Sequence, residues 1–151
     1  MKKITIITPT YNRAKTLPKV FESLLKQSFK DFIWIILDDG STDNTSTVVE
    51  NFQLFNPFFE IIYKKDKNRH KFLTVLEGVK MVKTPYFMVI DSDDIYPEDA
   101  LETLISEVEK IENQDNYVAV MGLSADENGK IVGNQYPNNG FDGSIFEMRY
   151  K

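Results

Sequence analysis

Apolar and polar positions follow two periods along this chain, and each change of period marks an element. Lys3 to Thr8 is a β-branched run ending at Pro9, the pattern of a buried strand. Leu17, Val20, Phe21, Leu24 and Leu25 then recur at helical spacing and give one apolar face up to about Gln27. Phe32 to Leu37 reads as a second strand, stopped by Asp38-Asp39-Gly40. Ser41, Thr42 or Asp43 is placed to cap a helix carrying Val48, Val49, Phe52 and Leu54. Phe58 to Tyr63 predicts a third strand, followed by a basic polar segment from Lys64 to Lys71 and a helix through Leu73, Leu76, Val79 and Val82. Tyr86 to Ile90 predicts a fourth strand. Pro97-Glu98-Asp99 opens a helix, since proline suits its first position and acids its positive end. Leu101, Leu104, Ile105, Val108 and Ile111 form the buried stripe of that helix. Tyr117 to Leu123 reads as a fifth strand, Asp126-Glu127-Asn128-Gly129 as a turn, and Lys130 to Val132 as a strand pairing back in a hairpin.

Short apolar strands alternating with amphipathic helices imply a mostly parallel sheet with helices on both faces. The strands are near-continuously apolar, which fits burial on both sides. In such sheets, ligands bind beyond the carboxyl ends of the strands. That rule gathers three polar clusters on one rim. They are Thr8-Pro9-Thr10-Tyr11-Asn12-Arg13 after the first strand, Asp38-Asp39-Gly40-Ser41-Thr42-Asp43 after the second, and Asp91-Ser92-Asp93-Asp94 after the fourth. No repeat, low-complexity tract or linker divides the chain, so residues 1–151 are expected to form one domain, with 1–123 as core and 124–151 as a hairpin and irregular tail.

Composition narrows the partners. The length suits one compact domain that buries roughly two-thirds of the surface its unfolded form exposes. Apolar residues at 42% and charged residues at 27% are ordinary for a soluble globular protein. A net charge of −5 argues against nucleic acid as a partner, and against general attraction to anionic membranes. An acidic protein still binds an anionic ligand when a cation bridges the two. The absence of cysteine excludes disulfides, thiolate metal sites and a cysteine nucleophile, and fits a cytoplasmic location. The apolar run after Lys2-Lys3 is too short for a signal peptide and is broken at Pro9. No run approaches the ~18 apolar residues of a membrane span. The chain is expected to be soluble, with peripheral membrane association left open.

The acidic cluster after the fourth strand carries the chemistry. Asp91, Asp93 and Asp94 repel one another, and a hard divalent cation with oxygen ligands offsets that repulsion. Mg2+ and Mn2+ favour a few carboxylates completed by substrate phosphate oxygens. In an extended segment Asp91 and Asp93 point the same way, so both can face one ligand. A solvated acidic turn or helix cap is the plainer alternative, and placement at the end of a buried strand, opposite a second acid pair, favours the ligand. Asp-Gly-Ser-Thr-Asp after the second strand is also sound turn chemistry. Asp38 and Asp39 are adjacent and point to different sides, so one can be structural while the other accepts a hydrogen bond from a ligand N–H. Tyr11 either covers the edge of the core or contacts a nucleobase. Arg13 and Lys71 are the cations singled out for a diphosphate, with Lys65, Lys67 and Arg69 taken as solvated loop charges. His70 reads as a loop histidine rather than a metal ligand.

Taken together, Ile-Thr-Pro-Thr-Tyr-Asn-Arg (7–13), Leu-Asp-Asp-Gly-Ser-Thr-Asp-Asn-Thr (37–45) and Ile-Asp-Ser-Asp-Asp (90–94) closely resemble the family 2 glycosyltransferases of GT-A fold. The resemblance runs from about residue 3 to 112, and the order and spacing of the motifs match. It implies an α/β, Rossmann-like three-layer sandwich with a mostly parallel central sheet. It also implies inverting, metal-dependent transfer from a nucleoside diphosphate sugar, usually a UDP-sugar, to a saccharide or lipid-linked acceptor, as in polysaccharide biosynthesis by hexosyltransferases. On that resemblance Pro9 and Tyr11 line the nucleotide pocket with Arg13 nearby, and Asp39 bonds the uracil edge. Asp91 and Ser92 lie by the ribose and diphosphate, while Asp93, with Asp91, holds Mn2+ or Mg2+. Lys71 and Gly78 match a further family stretch from Asn68 to Gly78, where Phe72 and Leu76 replace the usual His and Asn.

Family members continue into an acceptor-binding half that carries the catalytic base. The chain is therefore expected to be a truncated donor-binding half with no base of its own. One rival is a module that binds a nucleotide sugar without transferring it. A phospho-acceptor signalling domain would need an acid pair near the first strand, where Thr-Pro-Thr-Tyr stands. A phosphatase of the Asp-x-Asp-x-Thr type would need Thr or Val where Ile95 stands.

Overall fold

The computed structural model describes residues 2–56, 58–113, 119–122, 124–126 and 128–132. It forms two compact units, Met1–Ser106 and Glu107–Lys151. The first contains β1 (Ile4–Thr10), α1 (Leu17–Lys26), β2 (Phe32–Asp38), α2 (Thr45–Phe55), β3 (Glu60–Lys65), α3 (Lys71–Met81), β4 (Tyr86–Val89) and the opening turns of α4 (Ala100–Ile111). The strands are all parallel, in the order β3-β2-β1-β4. Ile6 pairs with Trp34 and Met88, which fixes the register across the centre of the sheet.

Alternation within β1 and β2 sorts their residues onto two cores. Ile4, Ile6, Trp34 and Ile36 pack with Leu17, Val20 and Leu24 of α1, Val49 and Phe52 of α2, and Leu101 and Ile105 of α4. Ile7, Ile35 and Leu37 face the other way, against Val79 and Met81 of α3. The result is a three-layer α/β sandwich. The larger core is aromatic: Phe21 stacks on Phe52 at 4.2 Å between centroids, and the Trp34 indole N–H donates to Thr8 Oγ1 at 2.9 Å, satisfying its buried polar atom.

Several boundaries differ from the sequence expectation, each for a local reason. β1 continues through Pro9 to Thr10 instead of ending at Thr8. Pro9 shares with Ile7 the side of β1 that faces β4, and the pairing with β4 ends at Ile7 and Val89, so its missing N–H costs no ladder bond. α4 begins at Ala100, three residues beyond Pro97, because the buried amide of Gln27 accepts from the Leu101 N–H at 3.0 Å and donates to the Pro97 carbonyl at 2.6 Å. A side chain from the end of α1 thus serves as the cap. Leu54, Leu73 and Leu76 are exposed rather than buried. α3 instead buries Thr74 and Gly78. A Cβ on Gly78 would lie 2.7 Å from both Ile7 Cγ2 and Leu37 Cδ1, so the helix approaches the sheet too closely for larger residues.

In the second unit, Ser124–Ala125 (β5) and Ile131–Val132 (β6) pair antiparallel. Asp126 Oδ1 accepts from the N–H groups of Asn128 and Lys130, and Gly129 takes φ +77° in the turn. Of the strand expected over Tyr117 to Leu123, residues 119–122 are described and form no strand. Tyr117, Val118 and Leu123 lie outside the described residues.

Candidate functional site

The carboxyl ends of β1, β2 and β4 deliver the three polar clusters to one rim. The loops after β1 and β2 are tied together by hydrogen bonds. Asn12 sits at φ +54°, a conformation that asparagine tolerates better than most residues. There its Oδ1 accepts from the Thr42 N–H at 2.8 Å and the Asp43 N–H at 3.3 Å. In return the Asn12 N–H donates to Ser41 Oγ at 2.8 Å, Arg13 N–H to Thr45 Oγ1 at 3.1 Å, and Ala14 N–H to Asp43 Oδ2 at 3.1 Å. The Thr45 hydroxyl and several backbone N–H groups hold the Asp43 carboxyl below its usual pKa.

This lattice holds Tyr11 and Arg13 over the rim, Tyr11 about half exposed. Asn12 is the positioning residue that the sequence motifs did not single out. Its signal was the polar, left-handed-tolerant residue standing between a strand and the Thr16-Leu17-Pro18 helix start. Asn12→Ala is expected to lower stability by roughly 1 kcal/mol through loss of these bonds, as measured by urea denaturation.

Asp38, the last residue of β2, and Asp39 just beyond it face opposite sides. Asp38 is buried, accepting from the Ser41 N–H at 2.6 Å and the Tyr63 hydroxyl at 2.5 Å. Burial first, then the bond to Asp38, pushes the Tyr63 hydroxyl well above the usual phenol range, so it remains a donor. Asp39 points to the α3 side, where its Oδ1 accepts from the Arg69 N–H at 2.7 Å and Thr74 Oγ1 at 3.0 Å. It lines a small open pocket with Asp38, Lys64, Asp66, Arg69 and Thr74.

Lys65 is no solvated loop charge: its ammonium donates to the Ser41 carbonyl at 2.7 Å and braces the turn after β2. Arg69 pairs with Asp66 at 2.9 Å. His70 is exposed at φ +70°, and its backbone carbonyl accepts from the first turn of α3.

The expected extended segment at Asp91 is instead a turn, closed by the Asp94 N–H donating to the Asp91 carbonyl at 3.2 Å. Asp91 and Asp93 are therefore not related by strand alternation. Asp91 Oδ2 lies 2.6 Å from Lys71 Nζ at the start of α3, and Asp93 Oδ2 lies 3.7 Å from Arg13 Nη2. Ser92 is buried between them in sequence, and Pro9 is buried in β1. Burial, followed by the charges of Asp91 and Asp93, raises the pKa of Asp94. No group of three or more His, Cys, Asp or Glu side chains is arranged to hold a metal among the described residues. Asp91 and Asp93 stay partly exposed and, among the described residues, pair with long, flexible cations, a donor set suited to a metal that takes its remaining oxygens from a bound phosphate.

The model of glycosyl transferase family 2 matches residues 5–149. The chain belongs to this family. It is 31% identical over 107 residues to the glycosyltransferase GlyG of Streptococcus pneumoniae, a match covering 71% of this chain and 35% of that protein. It is 35% identical over 108 residues to the poly(ribitol-phosphate) β-N-acetylglucosaminyltransferase TarP of Staphylococcus aureus, covering 69% and 32%. Among solved structures, S. aureus TarS in complex with UDP superposes with a TM-score of 0.65 at 25% identity, covering 73% of this chain and 33% of that one. A mannosyltransferase of Pyrobaculum calidifontis in complex with GDP-Man and Mn2+ gives a TM-score of 0.67 at 20% identity, covering 70% and 32%. The fold is thus GT-A, and the chain spans about a third of the length of these relatives. No helix among the described residues is long and apolar enough to cross a membrane.

Proposed function

We propose that this chain binds the donor of a glycosyl transfer, a nucleoside diphosphate sugar of the UDP class, together with Mn2+ or Mg2+. The observation that carries it is the convergence on one rim of Tyr11 and Arg13, of Asp39, and of the Asp91–Asp94 turn, with Lys71 beside it. The TarS complex with UDP supports the choice of uridine nucleotide. Asp39, whose Oδ2 has no protein donor among the described residues, accepts a base N–H, and Tyr11 contacts the base from the rim. Arg13 and Lys71 draw in the diphosphate, with Ser92 and Pro9 shaping the floor. Asp91 and Asp93 would hold the metal, which neutralises charge developing on the departing diphosphate. The reaction is inverting transfer to a saccharide or lipid-linked acceptor. The base that deprotonates the acceptor hydroxyl is not assigned to any residue of this chain.

Calorimetry with UDP and Mn2+ tests the donor site. Wild type is expected to bind UDP with Mn2+ and to lose affinity when the metal is chelated. Asp93→Ala should weaken binding with Mn2+ by about tenfold or more. Unchanged affinity in that variant, or no binding in wild type, would sink the assignment. A parallel transfer assay separates a donor-binding module from a complete enzyme.

A further inference from the structure

Two cations of this chain rest on the carboxylates proposed to hold the metal. Lys71 Nζ is 2.6 Å from Asp91 Oδ2, and Arg13 Nη2 is 3.7 Å from Asp93 Oδ2. They come from separate elements, Lys71 from the first residue of α3 and Arg13 from the loop after β1. Each contact joins segments remote in the chain, so neither follows from local sequence. Both pairs are half-exposed on both partners, which makes them weak and readily exchanged.

We propose that Lys71 and Arg13 are resident counter-ions that trade carboxylate for phosphate, so that metal and nucleotide bind cooperatively. This rests on the donor-site assignment above. With the site free of ligand, Lys71 neutralises Asp91, and Arg13 lies close enough to soften the charge on Asp93. The three aspartates then tolerate one another in a short turn. A divalent cation arriving alone must displace Lys71 and then sit beside the released ammonium, which repels it. A nucleoside diphosphate removes that obstacle, because its phosphate oxygens accept from the lysine and the arginine. The carboxylates are then free for the metal. Each ligand thereby prepares the site for the other, a reciprocal coupling between two binding free energies.

The exchange predicts effects of opposite sign from one substitution. In Lys71→Met, Mn2+ alone should bind about three- to fivefold more tightly, the size expected for removing one exposed competing ion pair. UDP without metal should bind more weakly in the same variant, and the gain in UDP affinity on adding Mn2+ should shrink. Lys71→Arg should restore the wild-type pattern. Electron paramagnetic resonance of free Mn2+ reads the first quantity, and calorimetry with UDP reads the others. Thermal melts of both variants establish that they are folded. A merely structural Lys71 would lower both affinities together, which overturns the proposal. So does Mn2+ affinity that is unchanged or undetectable in both proteins while UDP with Mn2+ still binds. Failure of wild type to bind UDP with Mn2+ at all refutes the donor site itself, a distinct result.

Discussion

Asp38→Ala should destabilise the protein by about 3 kcal/mol, and it should do so without removing any contact to a ligand. The Asp38 carboxylate is buried, and its donors are the Ser41 N–H and the Tyr63 hydroxyl. Among the described residues, alanine leaves the buried Ser41 N–H with no acceptor, while Tyr63 retains only Ser46 Oγ at 2.9 Å. Hydrogen bonds to a buried charged acceptor are the costly kind to lose, at roughly 1.5–3 kcal/mol each. In a unit of this size the melting temperature should fall by about 10 °C or more. Asp38→Asn keeps an acceptor for Ser41 and should cost less, and Tyr63→Phe, which removes one of the two bonds, should cost about 1.5–2 kcal/mol.

Asp39→Ala gives the contrast. It frees one backbone N–H on a loop and one hydroxyl, so stability should change less, whereas UDP affinity should fall. Urea denaturation and calorimetry on the two alanine variants separate the roles. Equal stability losses would show that the acids are not divided between frame and ligand.

That adjacent acids at a strand end face opposite sides was legible in the sequence, and the family resemblance singled out Asp39 for the ligand, but the protein partners of each acid were not legible. The deciding partner of Asp38 is Tyr63, 25 residues away on β3, and that of Asp39 is Thr74 on α3. Pairings of this kind depend on strand order, which local pattern does not specify. Strands Ile4–Thr10 and Phe32–Asp38 were readable because burial on both faces leaves an unbroken apolar run. The inward face of α3 departs from a plain apolar count because a helix lying close to a sheet needs small residues there. Thr74 and Gly78 occupy its first turns, where Leu73 and Leu76 are exposed, while Val79 and Val82 of the expected stripe do pack against Ile7, Ile35 and Leu37. The Asp91–Asp94 turn departs from the extended expectation for a reason of its own. β4 ends at Val89, and beyond it no neighbouring strand among the described residues holds the chain extended. The contribution of Asn12 lies in backbone conformation and in bonds to a loop about 30 residues away, neither of which a motif displays.

Gly40→Ala should lower stability by about 2–3 kcal/mol and weaken UDP binding by at least about tenfold, through two effects that add. Gly40 has φ +86°, where an L side chain costs roughly 1–2 kcal/mol. A Cβ there would also lie 3.0 Å from the Asn68 nitrogen and 3.3 Å from the Asp66 carbonyl oxygen. Both are backbone atoms, so no side-chain rotation relieves the contact, and the 66–68 segment must retreat. That segment leads directly to Arg69, whose N–H holds Asp39 at 2.7 Å, and Asp66 and Lys67 line the same pocket. Moving it therefore displaces the acid proposed to read the base while leaving Asp93 and Lys71 in place. Mn2+ binding measured without nucleotide should then match wild type, and only the nucleotide affinity should fall. If UDP affinity survives the substitution while stability drops, the pocket beside Asp39 is not where the base sits. A donor bound only through its diphosphate would then explain the result, with Arg13, Lys71 and the Asp91–Asp94 turn supplying the contacts.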